Sequence, residues 1–255
     1  MTATVIIPTT GSYDVKQAIE SVLKQTYKTQ VYLVTDGLKF EDKVDSIIDR
    51  IDGDLDNVHF CTLPINVGAN GFYGHRVYAS FTHLINTDYV LYLDQDCWMN
   101  PNHVESLVDT IESNNLDWAY SLRSIWSQDG AFICLDDCES LGKWPTYHGI
   151  HHIDTNTYFI KTSVATKIAS VWHGGWGQDR VFFNVLSNNF KNYNCTGKHT
   201  VNYGLGGNEG SVKSDFFTNG NKRMNDKYNG VFPWTKKMLS LASSQGMISL
   251  KSNLG

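Results

Sequence analysis

The chain has 255 residues, is 41% hydrophobic and carries a net charge of −5, with 26 acidic residues against 21 basic ones. That length and apolar content suffice for one large domain, and an acidic balance without clustered Lys and Arg argues against nucleic acid or an anionic membrane as a default partner. The longest apolar runs, such as Val5-Ile6-Ile7 and Tyr89 to Leu93, fall far below the roughly 20 residues of a membrane span; with no basic start and apolar signal core at the N-terminus, a cytoplasmic protein is expected.

The first hundred residues alternate short β-branched runs with amphipathic segments, the pattern of a parallel sheet covered by helices. Strands are expected at Thr4 to Pro8, Gln30 to Thr35, Val58 to Leu63 and Tyr89 to Leu93. Helices are expected between them at Asp14 to Gln25, Glu41 to Ile51 and Phe72 to Ile85. In the first helix Val15, Ala18, Ile19, Val22 and Leu23 share one face, with Lys16, Glu20 and Lys24 away from it. Asn100-Pro101 then opens a helix, with Asn able to cap and Pro tolerated at the first position, that ends near Asn114-Asn115. Beyond residue 117 regularity gives way to mixed strands and loops. There Thr155 to Lys161 reads as a strand, Ser163 to Ala169 and Gln178 to Leu186 as helices, and Lys198 to Val201 as a strand. The tail from Asn219 is polar, then weakly amphipathic over Trp234 to Ala242. Five cysteines, Cys61, Cys97, Cys134, Cys138 and Cys195, lack zinc or redox spacing and are expected as free thiols.

In an open α/β sheet, ligands collect beyond the carboxyl ends of the strands. Those ends are Pro8-Thr9-Thr10, Asp36-Gly37, Asn66-Val67-Gly68 and Asp94-Gln95-Asp96, so four strands deliver polar groups to one edge. Taken singly, each is also a common cap, turn or loop; their joint placement is the signal. Asp94 and Asp96 repel unless they share a hard cation such as Mg²⁺ or Mn²⁺, which is held by one or two carboxylates together with phosphate oxygens. A diphosphate is the natural third party.

The chain resembles a family 2 glycosyltransferase with the GT-A fold. Val5-Ile6-Ile7-Pro8-Thr9 is similar to the family's opening strand, and Ala18 to Tyr27 resembles its first helix closely. The resemblance implies that Pro8, Thr9, Asp36, Asn66, Gly68, Arg76, Asp94 and Gln95 hold the nucleotide, and that Asp94 and Asp96 hold the metal. It implies an inverting transfer in which Asp179, within Trp176-Gly177-Gln178-Asp179-Arg180, takes the proton of the acceptor hydroxyl; a plain acid at a helix N-terminus is the alternative. His199 is a candidate extra metal ligand. Sugar or acceptor contacts are expected from Asp154, Thr155, Asn156, Trp176, Gly177 and Gln178, and from Trp144 unless that indole is core. His148, His151, His152 and His173 are candidates for sugar hydroxyls or loop closure.

A single GT-A domain, Rossmann-like, with a mainly parallel sheet flanked by helices, follows as the expectation. Residues 1–116 would form the nucleotide-sugar half, 117–218 a mixed acceptor-binding half, and 219–255 a C-terminal extension. The expected partners are a nucleotide-sugar donor, most simply a UDP-sugar, and a glycan, glycolipid or other hydroxyl acceptor. Two other readings stand beside it. The motif before Gly37 keeps one acid where the family has two, and Gln178 replaces a usual Glu, which leaves open an inactive carbohydrate-binding relative. A sugar nucleotidyltransferase is disfavoured because the loop Thr9 to Tyr13 carries no basic residue.

Overall fold

The computed structural model describes residues 1–206 and 212–235. Strands and helices alternate as expected through β1 (Ala3–Thr9), α1 (Val15–Leu23), β2 (Thr29–Thr35), α2 (Glu41–Ile48), β3 (Val58–Thr62), α3 (His75–Phe81) and β4 (Tyr89–Tyr92). The four strands pair in parallel in the order β3-β2-β1-β4. Both faces of β1 and β4 are covered, which explains their unbroken apolar runs. Val5, Ile7, Leu91 and Leu93 pack with one core, while Ile6, Val90 and Tyr92 join the other. Residues from α1 and α2 belong to the first core, and those of α3 to the second.

The chain continues through β5 (Cys97–Met99), α4 (His103–Asn114), β6 (Trp118–Trp126), β7 (Phe132–Leu135), β8 (Tyr158–Lys161), α5 (Thr162–Ile168), α6 (Gln178–Asn189), β9 (Tyr193–Gly204) and α7 (Ser214–Tyr228). The sheet runs on through β4-β8-β6-β9-β5, with β7 paired to β6. In this half β6 and β9 are parallel, and the pairs β4–β8, β6–β8, β5–β9 and β6–β7 are antiparallel. This is the mixed half that the irregular sequence implied.

Several boundaries differ from expectation for identifiable reasons. Helix α3 starts late because the Phe72 and Tyr73 N–H groups turn back to the Gly68 carbonyl. Helix α4 begins at His103 because the Asn100 carbonyl accepts from Gln25 Nε2 and the His103 N–H, while Pro101 accepts from Thr26. It stops at Asn115, which turns left-handed at φ 48°. Thr155 to Thr157 form a 3-10 turn before β8, with the Asp154 side chain accepting from the Asn156 N–H. Helix α7 occupies part of the tail expected to be merely polar; most of the expected amphipathic stretch from Trp234 to Ala242 lies outside the described residues. All five cysteines are free.

Candidate active site

The exits of β1 to β4 open onto a cleft of about 490 Å³, closed on its other side by residues of the second half. At the β2 exit Asp36 is buried; its two carboxylate oxygens accept from the Val67 and Gly68 N–H groups at 2.7 and 2.8 Å. One carboxylate thereby fixes the loop after β3. A side chain on Gly68 would place its Cβ 2.0 Å from the Tyr73 carbonyl and 2.7 Å from Asp36, so only glycine fits. Gln95 Oε1 accepts from Thr9 Oγ1 at 2.7 Å and from the Thr10 N–H at 3.1 Å, which ties the β1 exit to the β4 exit. Arg76, expected at the nucleotide, instead folds over the Phe72 ring at 3.3 Å and donates to the Val67 carbonyl. It braces the loop and does not line the cleft.

Asp94 and Asp96 leave β4 together, and one carboxylate oxygen from each lies within 4.8 Å of the other and of Cys97 Sγ. Asp94 accepts from Tyr78 Oη at 2.8 Å and from Asn156 Nδ2 at 3.0 Å. Burial, then the charge of Asp154, raises its carboxyl above the usual range against those hydrogen bonds. Burial and the neighbouring Asp94 push Asp96 up to about 7. A cation shared by two carboxylates this close would relieve their repulsion. Burial, then the Asp96 and Asp94 charges, drives the Cys97 thiol well up, so it stays neutral and donates to Asp96. The available donors are therefore carboxylate oxygens, which suit Mg²⁺ or Mn²⁺.

The facing side of the cleft is built around Arg123, buried on β6. Its Nε donates to Asp136 at 2.8 Å, and its two terminal nitrogens to Glu139 and Asp154. Asp154 in turn accepts from the Asn156 N–H at 3.0 Å and Nδ2 at 2.8 Å, and Asn156 holds Asp94. A continuous polar chain thus joins the two halves beneath the cleft. Burial raises Glu139; in Asp136 burial also pushes upward, but the Arg123 charge together with hydrogen bonds from Arg123 and the Glu139 and Ser140 N–H groups holds the carboxyl low.

Asp179 stands in the first turn of α6, after Gly177, whose φ of 79° reverses the chain. Its Oδ1 accepts from the Arg180 N–H, and its Oδ2 faces His152 Nε2 at 2.6 Å. Burial raises Asp179, but the hydrogen bond and charge of His152 outweigh it and hold the carboxyl below its ordinary value. In His152, burial lowers the pKa and the Asp179 partner overcomes it, leaving it raised. Trp176 lies at the lip, 75% exposed, with the Arg180 guanidinium 5.5 Å from its ring.

Thus Pro8, Thr9, Asp36, Asn66, Gly68, Asp94, Gln95, Asp96, Asp154, Thr155, Trp176, Gly177 and Asp179 share one cleft, and Asn156 braces it from behind. Besides Arg76, three expected residues lie elsewhere. His199 Nε2 is taken by Asp137 at 3.2 Å; it falls four residues, about 13 Å of strand, before Tyr203, the β9 residue that lines the cleft. Trp144 packs on Trp234 at 5.2 Å. Gln178 turns inward to the Val171 carbonyl. Among the other candidate histidines, His148 stacks on Phe216 and His151 bonds the Gly142 carbonyl.

A curled α/β sheet that gathers carboxylates at its strand exits, with a mixed half facing them, is the architecture of a GT-A glycosyltransferase. The model of glycosyl transferase family 2 matches residues 4–183, and the chain belongs to that family. Among solved structures, S. aureus TarS 1-349 in complex with UDP-GlcNAc is similar at TM-score 0.63 and 15% identity, over 93% of this chain and 69% of that one. The same protein in complex with UDP gives 0.59 and 15%, over 80% and 61%. S. aureus TarS gives 0.58 and 14%, over 93% of this chain and 41% of that one. In the first of the TarS 1-349 alignments this chain spans 60% of the other. At such identities the likeness is one of fold. No curated protein matches the sequence.

Proposed function

We propose that this chain transfers a sugar from a nucleoside diphosphate-sugar, preferably a UDP-sugar, to an acceptor hydroxyl with inversion, assisted by Mn²⁺ or Mg²⁺ at Asp94 and Asp96. The observation that carries the reading is the pairing of those carboxylates at the β4 exit, inside a cleft lined, among the described residues, by six carboxylates and two guanidiniums. Such a cleft repels a bare diphosphate, so the donor and a divalent cation belong together. The complexes of TarS 1-349 with UDP and UDP-GlcNAc support the choice of donor.

Asp179 is the base. His152 and Arg180 keep it ionised and aimed, so it can take the acceptor proton while the acceptor oxygen bonds to the anomeric carbon and the bond from that carbon to the diphosphate breaks. A divalent ion held by Asp94 and Asp96 would neutralise the departing nucleoside diphosphate as a Lewis acid. Asn156 and Tyr78 hold Asp94 in place throughout. Trp176 offers an exposed indole face to the acceptor, which we take to be a glycan, glycolipid or other hydroxyl compound. Among the described residues no helix is long and apolar enough to cross a membrane.

The test is thermal denaturation with UDP-, GDP-, CDP- and dTDP-sugars, with and without Mn²⁺. A UDP-sugar at about 100 times its Kd adds about 2.7 kcal/mol, or roughly 5–10 °C for a chain of this size. Asp94→Ala or Asp96→Ala should abolish the metal-dependent part, His199→Ala should leave it intact, and Asp179→Asn should keep binding while losing transfer. Turnover by Asp179→Asn at the wild-type rate would remove the base assignment.

A further inference from the structure

Tyr73 has no part in the steps above, yet its backbone is held in a costly conformation. It sits at φ 51°, between Asn70 at 62° and Gly71 at 84° on one side and the start of α3 on the other. A bulky residue in the left-handed region is an outlier that persists only where its surroundings impose it. Here they do. The Phe72 and Tyr73 N–H groups both donate to the Gly68 carbonyl, at 3.1 and 2.9 Å. Gly68 in turn donates to Asp36, and a Cβ on Gly74 would lie 2.4 Å from Pro8. The loop is therefore fastened to the exits of β1 and β2.

Despite this strain the side chain is not buried: Tyr73 is 44% exposed and lines the cleft, and among the described residues its ring meets His75 edge-on. Its place along the sheet defines what it faces. The chain leaves β3 and runs back along the sheet edge, with Gly68 held by Asp36 at the β2 exit and Gly74 against Pro8 at the β1 exit, so across the sheet Tyr73 lies one to two strand spacings, about 5–10 Å, from the carboxylate pair at the β4 exit. An extended nucleoside diphosphate whose phosphates lie at Asp94 and Asp96 reaches that distance with its base. Asp36, beside this loop, still has carboxylate lone pairs to accept from a base N–H.

We propose that Tyr73 is the stacking platform for the nucleobase of the donor, and that the pinned loop from Gly68 to Gly74 exists to present it. The proposal rests on the nucleotide-sugar reading above. Tyrosine supplies a flat π-face at little entropic cost, and every base has a face to match it.

The experiment is calorimetric titration of the full chain with UDP and, separately, inorganic pyrophosphate, both with Mn²⁺. Tyr73→Phe should bind UDP within about twofold of wild type, and Tyr73→Ala and Tyr73→Gly should bind it at least about tenfold more weakly. Pyrophosphate affinity should be the same in all four proteins. Tyr73→Gly should hold or raise Tm, because glycine relieves the left-handed strain. Undiminished UDP binding by Tyr73→Gly overturns the proposal, as does an equal loss of UDP and pyrophosphate. A wild-type chain that binds no nucleotide at all defeats the donor reading itself, a result distinct from UDP binding that ignores Tyr73.

Discussion

Replacing His152 with alanine removes the Nε2–H that reaches Asp179 Oδ2 at 2.6 Å. A hydrogen bond between charged partners contributes about 1.5–3 kcal/mol. Because about 1.4 kcal/mol corresponds to one pH unit, the midpoint of Asp179 should rise by about 1–2 units. Burial, the largest influence on this carboxyl, already pushes upward and would then act with one opponent fewer. The assay is release of nucleoside diphosphate across the acid limb of kcat/KM, which reports ionisation of the free enzyme's base. That limb should move to higher pH, while turnover well above it changes little. Stability supplies an independent sign. His152 is raised in the folded chain, so its contribution is complete below about pH 6.5 and is lost as pH rises through the folded value. Asp179 is lowered, so its contribution is present above the ordinary carboxylate range and fades as pH falls. The gap in Tm between wild type and His152→Ala should therefore be widest in mildly acidic solution and narrow toward alkaline pH. An acid limb that does not move refutes the pairing as a functional one.

Arg123→Met should cost about 3–5 kcal/mol, because it leaves Asp136, Glu139 and Asp154 facing one another without a cation. That corresponds to a fall in Tm of roughly 6–20 °C; Arg123→Lys should rescue little, since one ammonium cannot copy three diverging nitrogens. A loss below about 1 kcal/mol would mean that the cluster does not act as a unit. Gly174→Ala should also destabilise, because its Cβ would stand 1.8 Å from Gln178 Oε1 and force that side chain off the Val171 carbonyl. Thermal melts of Gly174→Ala/Gln178→Ala should recover most of the loss, a non-additive result. Additive losses would place the clash elsewhere.

The edge formed by the exits of β1 to β4 was legible because its signals are local. Apolar runs followed at once by Thr9, Asp36, Asn66 or Asp94 locate strand exits without any knowledge of pairing. The facing side of the cleft was not, because its contacts join distant residues. His152 and Asp179 are 27 positions apart, and Arg123 and Asp154 are 31 apart. One signal was available: Arg123 interrupts the apolar stretch Trp118 to Trp126, and a lone cation in a buried strand demands acidic partners. Gln178, Trp144 and His199 are not among the residues lining the cleft, for a related reason. Residue type suggested a ligand, whereas a turn carbonyl, a second indole and Asp137 satisfied each one within the fold. Tyr73 gave no sign at all, since positive φ at a tyrosine is imposed by its neighbours and not by its own preference.

The place of β8 has a consequence for dissection. This strand, drawn from residues 158–161, lies between β4 and β6, so the segment bearing Asp94 and Asp96 borders a late arrival in the chain. A fragment stopped at residue 116 would leave β4 with a bare edge, open to pairing with another molecule, and Asp94 without the Asn156 amide. During synthesis the surroundings of Asp94 are consequently among the last parts to be completed. Swapping the second half for that of a relative would have to carry Asn156 along with it.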